Sequence, residues 1–332
     1  MLITCQAGFE SLLAKELAAG GAAVLAQGPG WVRTEQAPAE LAFAHWIIRD
    51  EVPVQGESVN ALAQQLADYF LQSLQGERIT DPWPCVFAGP AELVGLGRRI
   101  GGVEDAFRER IRKRLSRVAK LAVADLPRGA GPARGLAVWF TDFGTAFAGR
   151  DLLINGQRRM ADDPQAPSRS YLKIEEAYVV LGREPVEGET VVDLGAAPGG
   201  WSYSAAKRGA LVIAIDNGPL KGGALDHPRI EHRQEDAFRY VPATGQTCNW
   251  LFCDMVEEPH HVLRHIVEPW LERGWCRHFV VNLKFGRVDP VALLQELRQP
   301  DSILQRYAPG VRIRHLYHDR EEFTLTGEVR AG

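Results

Sequence analysis

Between Thr190 and Asp216 an apolar run, a glycine-bearing loop, a helix-forming stretch and a second apolar run closed by an acid follow one another without interruption. Val191, Val192 and Leu194 favour a strand, and Gly195, Gly199 and Gly200 let the backbone bend close to a ligand. Residues 201–208 have helical composition. The second run, 211–215, stops at Asp216, about twenty residues beyond Gly195, where an acid reaches a ribose diol. This order predicts a parallel α/β sheet with a pocket for an adenosine-containing cofactor.

The rest of the chain bounds that reading. With 332 residues, two or three domains are expected. No apolar run approaches a membrane span and no secretory leader is evident, so a cytoplasmic protein is expected. Cys5, Cys85, Cys248, Cys253 and Cys276 include no CxxC pair, which argues against a disulfide framework and a zinc site. His260, His261 and His265 contain an i, i+4 pair but no acidic or cysteine partner at a ligand spacing, so no metal is expected. Net charge is −4, yet nine basic residues against three acids lie between Arg98 and Lys120.

Periodicity organises the first half as a small α/β unit followed by a second. The first has strands at 2–5, 23–25 and 31–34 and helices at 9–18 and 38–48. The second has a helix at 59–74, a strand around Val86, a basic helix at 103–122 and strands at 136–141 and 145–148. On the basic helix Phe107, Ile111, Leu115, Val118 and Ala122 face a core, and Arg110, Lys113, Arg114, Arg117 and Lys120 line the opposite face. Such a stripe is either a solvated surface or a binding face for nucleic-acid phosphates. A proline- and acid-rich connection runs over 149–170. Beyond it helices at 171–181, 260–273 and 290–306 alternate with strands at 229–232, 250–253 and 279–283, and the last strands, 311–317 and 323–329, form an antiparallel pair. Alternation of this kind places ligands at the carboxyl ends of the strands.

Four charged residues fall at that edge. Lys173 begins a helix, Asp254 and Lys284 end strands, and Glu322 begins the last one. Alternation along the last strand groups Glu322 with Thr324 and favours it over the adjacent Glu321. One such terminus is ordinarily just solvated; four at one edge suggest chemistry.

The loop has no glycine two residues after Gly195, which counts against a nicotinamide dinucleotide. D-L-G-A-A-P-G-G-W resembles the first motif of S-adenosylmethionine-dependent methyltransferases, specifically the FtsJ-like class that methylates RNA ribose 2′-hydroxyls. Lys173, Asp254, Lys284 and Glu322 match that class's Lys-Asp-Lys-Glu tetrad. The resemblance implies that Ser170, Gly195, Ala197, Pro198, Gly199, Gly200, Trp201, Asp216, Asp236 and Asp254 surround the cofactor, although Asp236 also reads as a helix cap. Ala197 stands where the family often has cysteine.

The resemblance assigns Lys284 as general base and leaves Lys173 to position the ribose or phosphate. Burial, a second lysine and the sulfonium favour the neutral amine, whereas Asp254 and Glu322 oppose it.

C-Q-A-G-F-E near the start, with S-R-S-Y-L-K, C-D-M-V, N-L-K and L-Y-H-D-R-E-E, extends the similarity over nearly the whole chain to the bacterial ribosomal RNA large subunit methyltransferase M family. That family methylates a cytidine ribose of 23S rRNA. The implied organisation is a ferredoxin-like domain over 1–54, an RNA-binding THUMP domain over 55–150, a linker over 151–170 and a Rossmann-like class I methyltransferase domain over 171–332. A monomer is expected. The competing readings are a methyltransferase acting on another position, a non-catalytic RNA-binding protein and a dehydrogenase.

Overall fold

The computed structural model describes residues 1–38 and 40–330. The chain divides into two compact units, Met1–Gly156 and Gln157–Gly332. In the first unit the strands are β1 (Leu2–Thr4), β2 (Val24–Gly28), β3 (Trp31–Thr34), β4 (Trp46–Ile48), β5 (Val52–Gln55), β6 (Trp83–Ala88), β7 (Ala122–Val123), β8 (Ala130–Phe140) and β9 (Thr145–Asn155). The helices are α1 (Glu10–Ala19), α2 (Val59–Leu74), α3 (Leu96–Arg114) and α4 (Ser116–Lys120). The sheet runs β2-β3-β1-β4-β9-β8-β6-β7, with β5 also paired to β9.

Helix α2 starts where Ser58 Oγ accepts the Ala61 N–H at 3.1 Å and stops at Gln75 in the left-handed region. Its apolar face meets that of α3: Leu62, Leu66 and Phe70 pack with Phe107, Ile111 and strand residues Leu136 and Val138. Removing these side chains from water is what holds the helices on the sheet.

Two predicted elements differ here for identifiable reasons. The helix predicted over 38–48, which includes Ala39 outside the described residues, is replaced by a loop and β4. Glu16 accepts the backbone N–H groups of Ala42 and Phe43 at 2.7 and 3.1 Å, and Thr4 binds the Trp46 backbone, so long-range hydrogen bonds draw this segment into the sheet. The single basic helix predicted over 103–122 is two helices broken at Leu115, whose φ and ψ of −138° and 64° are not helical. Trp83 draws the second piece toward β6, donating from its ring to Val118 O at 2.9 Å and from its backbone to Leu121 O at 3.0 Å. Residues 149–155, predicted as connection, continue β9.

The second unit has α5 (Tyr171–Leu181), β10 (Thr190–Leu194), α6 (Gly200–Lys207), β11 (Leu211–Ile215), β12 (Ile230–Arg233) and β13 (Cys248–Cys253). There follow α7 (Pro259–Val262), a π-turn (Leu263–Val267), α8 (Glu268–Glu272), β14 (Cys276–Lys284), α9 (Pro290–Leu297), α10 (Ile303–Tyr307), β15 (Arg312–Arg314) and β16 (Glu322–Glu328). The helix predicted over 260–273 is thus interrupted by the wide turn just before Pro269, which has no N–H to give a regular helix. That predicted over 290–306 breaks around Pro300, and Ser302 caps the second piece. The sheet order is β12-β11-β10-β13-β14-β16-β15, parallel from β12 to β14 and antiparallel at β16 and β15. Tyr178, Trp201, Trp250, Phe252 and Val280 form its core. Among the described residues no helix is long and apolar enough to cross a membrane.

Close strand packing in the first unit makes a specific demand at Gly135, where a Cβ would collide with the Pro84 carbonyl oxygen. Gly135→Ala is therefore expected to destabilise the protein by about 1–3 kcal/mol, read as a lower midpoint in chemical denaturation. An unchanged midpoint would contradict this packing.

Candidate active site

The carboxyl ends of the parallel strands converge on one edge of the second sheet. β10 leads into the glycine loop, β11 into Asp216, β12 toward Asp236, β13 into Asp254, and β14 ends at Lys284. β16 runs the other way, so its first residue, Glu322, lies directly opposite Lys284. The reversal brings a carboxylate to an edge that another parallel strand would have supplied only from its far end.

Lys284 Nζ donates to Asp254 Oδ1 at 2.5 Å and also to Glu322 Oε2. Lys173, from the first turn of α5, bonds Glu322 Oε1 at 2.5 Å and lies 3.7 Å from Asp254 Oδ2. Ser170 Oγ donates to that same Asp254 oxygen at 2.5 Å. The four predicted residues therefore form one cluster of two ammonium and two carboxylate groups. Glu321 is not part of it; its carboxylate lies beside Gly286. The side chains of Lys173 and Lys284 keep 13% and 22% of their exposure, enough to be reached from outside, whereas Glu322 keeps 4%.

The electrostatics have a clear sign. Burial disfavours the charge on Lys284, but Asp254 and Glu322 outweigh it and hold the ammonium above its ordinary pKa. Burial likewise pushes the carboxyls of Asp254 and Glu322 up, and the two lysines bring both below the ordinary range. In the contest between burial and the carboxylates, the carboxylates prevail in the ligand-free protein, and Lys284 is protonated.

The glycine loop is shaped by its neighbours as well as by its own freedom. Gly195 and Gly199 have φ of +77° and +104°. A Cβ on Gly195 would collide with Met255 Cγ, and one on Gly199 would lie 2.5 Å from Ala224 Cβ. Asp216 accepts the Ala197 and Gly218 N–H groups at 3.0 and 2.7 Å, which fixes its half-buried carboxylate beside the loop. Trp201 is not an open surface: its ring is buried in the core and donates to Ser170 O at 3.0 Å. Asp236 is exposed and accepts the Phe238 N–H at 3.0 Å, so it caps a turn while standing past the end of β12.

The sequence reading missed Ser168, Asn282, Thr324 and Asp319. Ser168 Oγ is buried, has no hydrogen-bond partner among the described residues, and lies 3.1 Å from where a Gly200 Cβ would be. An orphaned hydroxyl beside a glycine loop and a fixed carboxylate at Asp216 suit a polar adenosine-type ligand. Strand alternation could have found Asn282, two residues before Lys284, and Thr324, two after Glu322. A separate cavity of about 540 Å³, bordered by Thr190, Leu211, Ile230 and Cys248, lies at the opposite strand ends and is not part of this cluster. Among the described residues no group of His, Cys, Asp and Glu is placed to hold a metal ion.

Of the basic residues in the first unit, Arg110 is tied to Gln64, Asn60 and Ala106 O, Arg114 to Asp68 and Lys113 to Glu109. Arg117 and Lys120 are exposed and have no acidic partner among the described residues.

The second unit has the fold of an S-adenosylmethionine-dependent methyltransferase: residues 166–285 match the FtsJ-like methyltransferase family model. Relatives carrying the name ribosomal RNA large subunit methyltransferase M include one from Halorhodospira halophila, 40% identical over 200 residues, covering 58% of this chain and 57% of the relative. Another, from Actinobacillus pleuropneumoniae, is 35% identical and aligns over 65% of this chain and 62% of its own length. Those alignments span somewhat over half of each relative. The one from Alkalilimnicola ehrlichii is 34% identical across 98% of this chain and 93% of its own length. The chain belongs to the ribosomal RNA large subunit methyltransferase M family. A solved structure described as a methyltransferase complexed with SAH covers 100% of the chain and 98% of its own, at 11% identity and a TM-score of 0.40, too remote to inform the site.

Gly195→Ala combines a disfavoured backbone angle with the Met255 collision. It is expected to weaken S-adenosylmethionine binding by at least about tenfold in calorimetry, at a stability cost of roughly 1–3 kcal/mol. Wild-type affinity in this variant would show that the loop is not the cofactor platform.

Proposed function

We propose that this protein uses S-adenosylmethionine to methylate the ribose 2′-hydroxyl of a cytidine in 23S rRNA, acting as a cytoplasmic monomer. The observation that carries the reading is the junction of Lys173, Asp254, Lys284 and Glu322 at the sheet edge beside the glycine loop. The family membership supplies the substrate class.

Bound S-adenosylmethionine supplies an electrophilic methyl carbon on a sulfonium. Ser170, Gly195, the Ala197, Pro198, Gly199 and Gly200 backbone, Asp216 and Asp236 hold it, with Trp201 buttressing the loop from behind. Lys284 draws the proton from the ribose hydroxyl, and Lys173 positions the ribose or its phosphate. Asp254 and Glu322 hold the two amines in register. Because they also keep Lys284 protonated before ligands arrive, the base must shed its proton as positive charge enters the site. The cluster titrates as a set, and its rate-limiting ionisation belongs to the group.

In the first unit, residues 1–54 serve as a ferredoxin-like domain and 55–150 as a THUMP domain, joined through 151–170 to the methyltransferase domain at 171–332. Arg117 and Lys120 lead the contact with rRNA phosphates, and Arg110, Lys113 and Arg114 contribute once their protein partners are exchanged.

Labelled methyl transfer to unmodified rRNA, with the sugar mapped after digestion, tests the reaction; label on a base would redirect the reading. Lys284→Arg keeps the charge but supplies no usable base, so the single-turnover rate should fall roughly 10²–10⁴-fold with the melting temperature retained. A rate near wild type would remove Lys284 from the role. Since Lys284 is held protonated in the ligand-free protein, its neutral fraction grows with pH through neutrality, and the wild-type kcat/KM should climb with it. For the RNA surface, replacing Arg117 and Lys120 together by Ala should make the salt dependence of rRNA binding shallower by roughly 1–2 in log–log slope, with cofactor affinity unchanged. An unaltered slope would place the phosphate contacts elsewhere.

A further inference from the structure

Behind the cluster a single file of buried hydrogen bonds runs away from Asp254. Asn282 Nδ2 donates to Asp254 Oδ1 at 3.0 Å, and Thr324 Oγ1 lies 2.7 Å from Asn282 Oδ1. Thr324 Oγ1 also lies 3.2 and 2.9 Å from the two oxygens of Asp319, and Asp319 Oδ2 accepts the Leu316 N–H at 2.9 Å. Asn282, Thr324 and Asp319 are all buried.

The order of protons along this file follows from its ends. Asp254, facing two lysines, is an ionised carboxylate and only accepts, so the amide of Asn282 must turn its N–H toward it. The carbonyl oxygen of Asn282 then faces Thr324 and can only accept. That contact uses the one hydrogen of the Thr324 hydroxyl. The remaining contact, from Thr324 to Asp319, is a hydrogen bond only if Asp319 supplies the hydrogen.

We propose that Asp319 is held as the neutral acid and, through Thr324 and Asn282, is the positioning residue that aims Asp254 at Lys284. The proposal rests on the reading of Lys284 as base. A neutral Asp319 has a second effect, since an ionised carboxylate there would add negative charge beside Glu322 and make the lysines harder to deprotonate. The charged groups that face Asp319 agree with its protonation. Burial and the neighbouring Glu322 push its carboxyl up to about 8, against a smaller opposing pull from Lys173. Glu176, also buried, is likewise raised, chiefly by burial. Asp319 is thus a carboxyl whose folded-state pKa exceeds its unfolded value. The stability it contributes is full below the unfolded value, near 4, and is lost as pH rises through the folded value of about 8.

Three variants and a spectrum test this. Asp319→Asn reproduces the neutral donor, Asp319→Ala removes it, and Thr324→Val cuts the file while leaving Asp319 in place. In the infrared difference spectrum of wild type against Asp319→Asn at neutral pH, a protonated-carboxyl carbonyl band should be present in the wild type. Asp319→Ala and Thr324→Val should lower kcat roughly 10- to 100-fold with little change in KM, and Asp319→Asn should restore it to within about threefold of wild type. Asp319→Asn should also flatten the fall in stability between mildly acidic and alkaline pH.

Absence of the carboxyl band, equal losses in Asp319→Asn and Asp319→Ala, or an unchanged kcat in Thr324→Val would each overturn the proposal. Should the wild-type protein transfer no methyl group to rRNA, the functional reading fails on its own. The band still decides the protonation of Asp319.

Discussion

Two ammonium groups and two carboxylates share one partly buried edge of a sheet, and the surrounding structure is organised so that they can. Withdrawing any one such ion from water costs several kcal/mol, and the loss is offset only when opposite charges stand at bonding distance and the remaining lone pairs are used. Lys284 between Asp254 and Glu322, with Lys173 on Glu322, satisfies the first condition, and Ser170 and Asn282 on Asp254 satisfy the second. Removing one member would leave an uncompensated charge, so the cluster constrains its own neighbours. The antiparallel course of β16 is the topological consequence, because a second carboxylate must reach the same edge as Asp254 and Lys284.

The glycine loop shows a second case in which one residue type answers two demands. Positive φ at Gly195 and Gly199 allows the strand to turn into α6, and the missing side chains leave room for Met255 and Ala224. Close approach to a ligand is the usual reason given for such glycines. Here the protein's own packing already requires them, so the loop has its shape before a ligand is present. Asp216 reinforces that shape by accepting two backbone N–H groups, one of them from the loop itself.

Much of this was legible in the sequence because the relevant signals are local. Alternating strand and helix signals gave the parallel sheet. Residue chemistry at the strand ends marked Asp254 and Lys284, and alternation separated Glu322 from Glu321. The failures occurred where distant partners decide. Residues 40–48 read as helical, yet Glu16 and Thr4 draw them into a loop and the strand β4. The basic segment has helical periodicity throughout, and only Trp83, far away in sequence, reveals why it breaks at Leu115. Asn282 and Thr324 lie on the site's face by strand alternation, but their link to Asp319 was hidden for another reason. Their importance lies in the direction of hydrogen bonds, which depends on which oxygens carry protons and not on spacing.

That direction bears on how a base can be kept poised. Carboxylates that orient an amine also stabilise its protonated form, so the features that place Lys284 accurately leave less of it as the free amine in the resting protein. Placing more ionised acids around the cluster would deepen that conflict. The fold instead surrounds it with acids whose protonated form burial favours. Asp193, hydrogen-bonded by Ser202 at 2.6 Å, is raised to about 7 by burial and, to a smaller extent, by Asp254. Asp319 is raised by burial and Glu322. Neutral acids still form hydrogen bonds and fix geometry, but they add no field that holds protons on the lysines. With the four central charges cancelling and Asp193 and Asp319 shifted by burial toward their protonated forms, an incoming positive charge changes the local balance more than it would in a site rich in ionised acids. In the proposed reaction this difference separates a resting ammonium from a working amine.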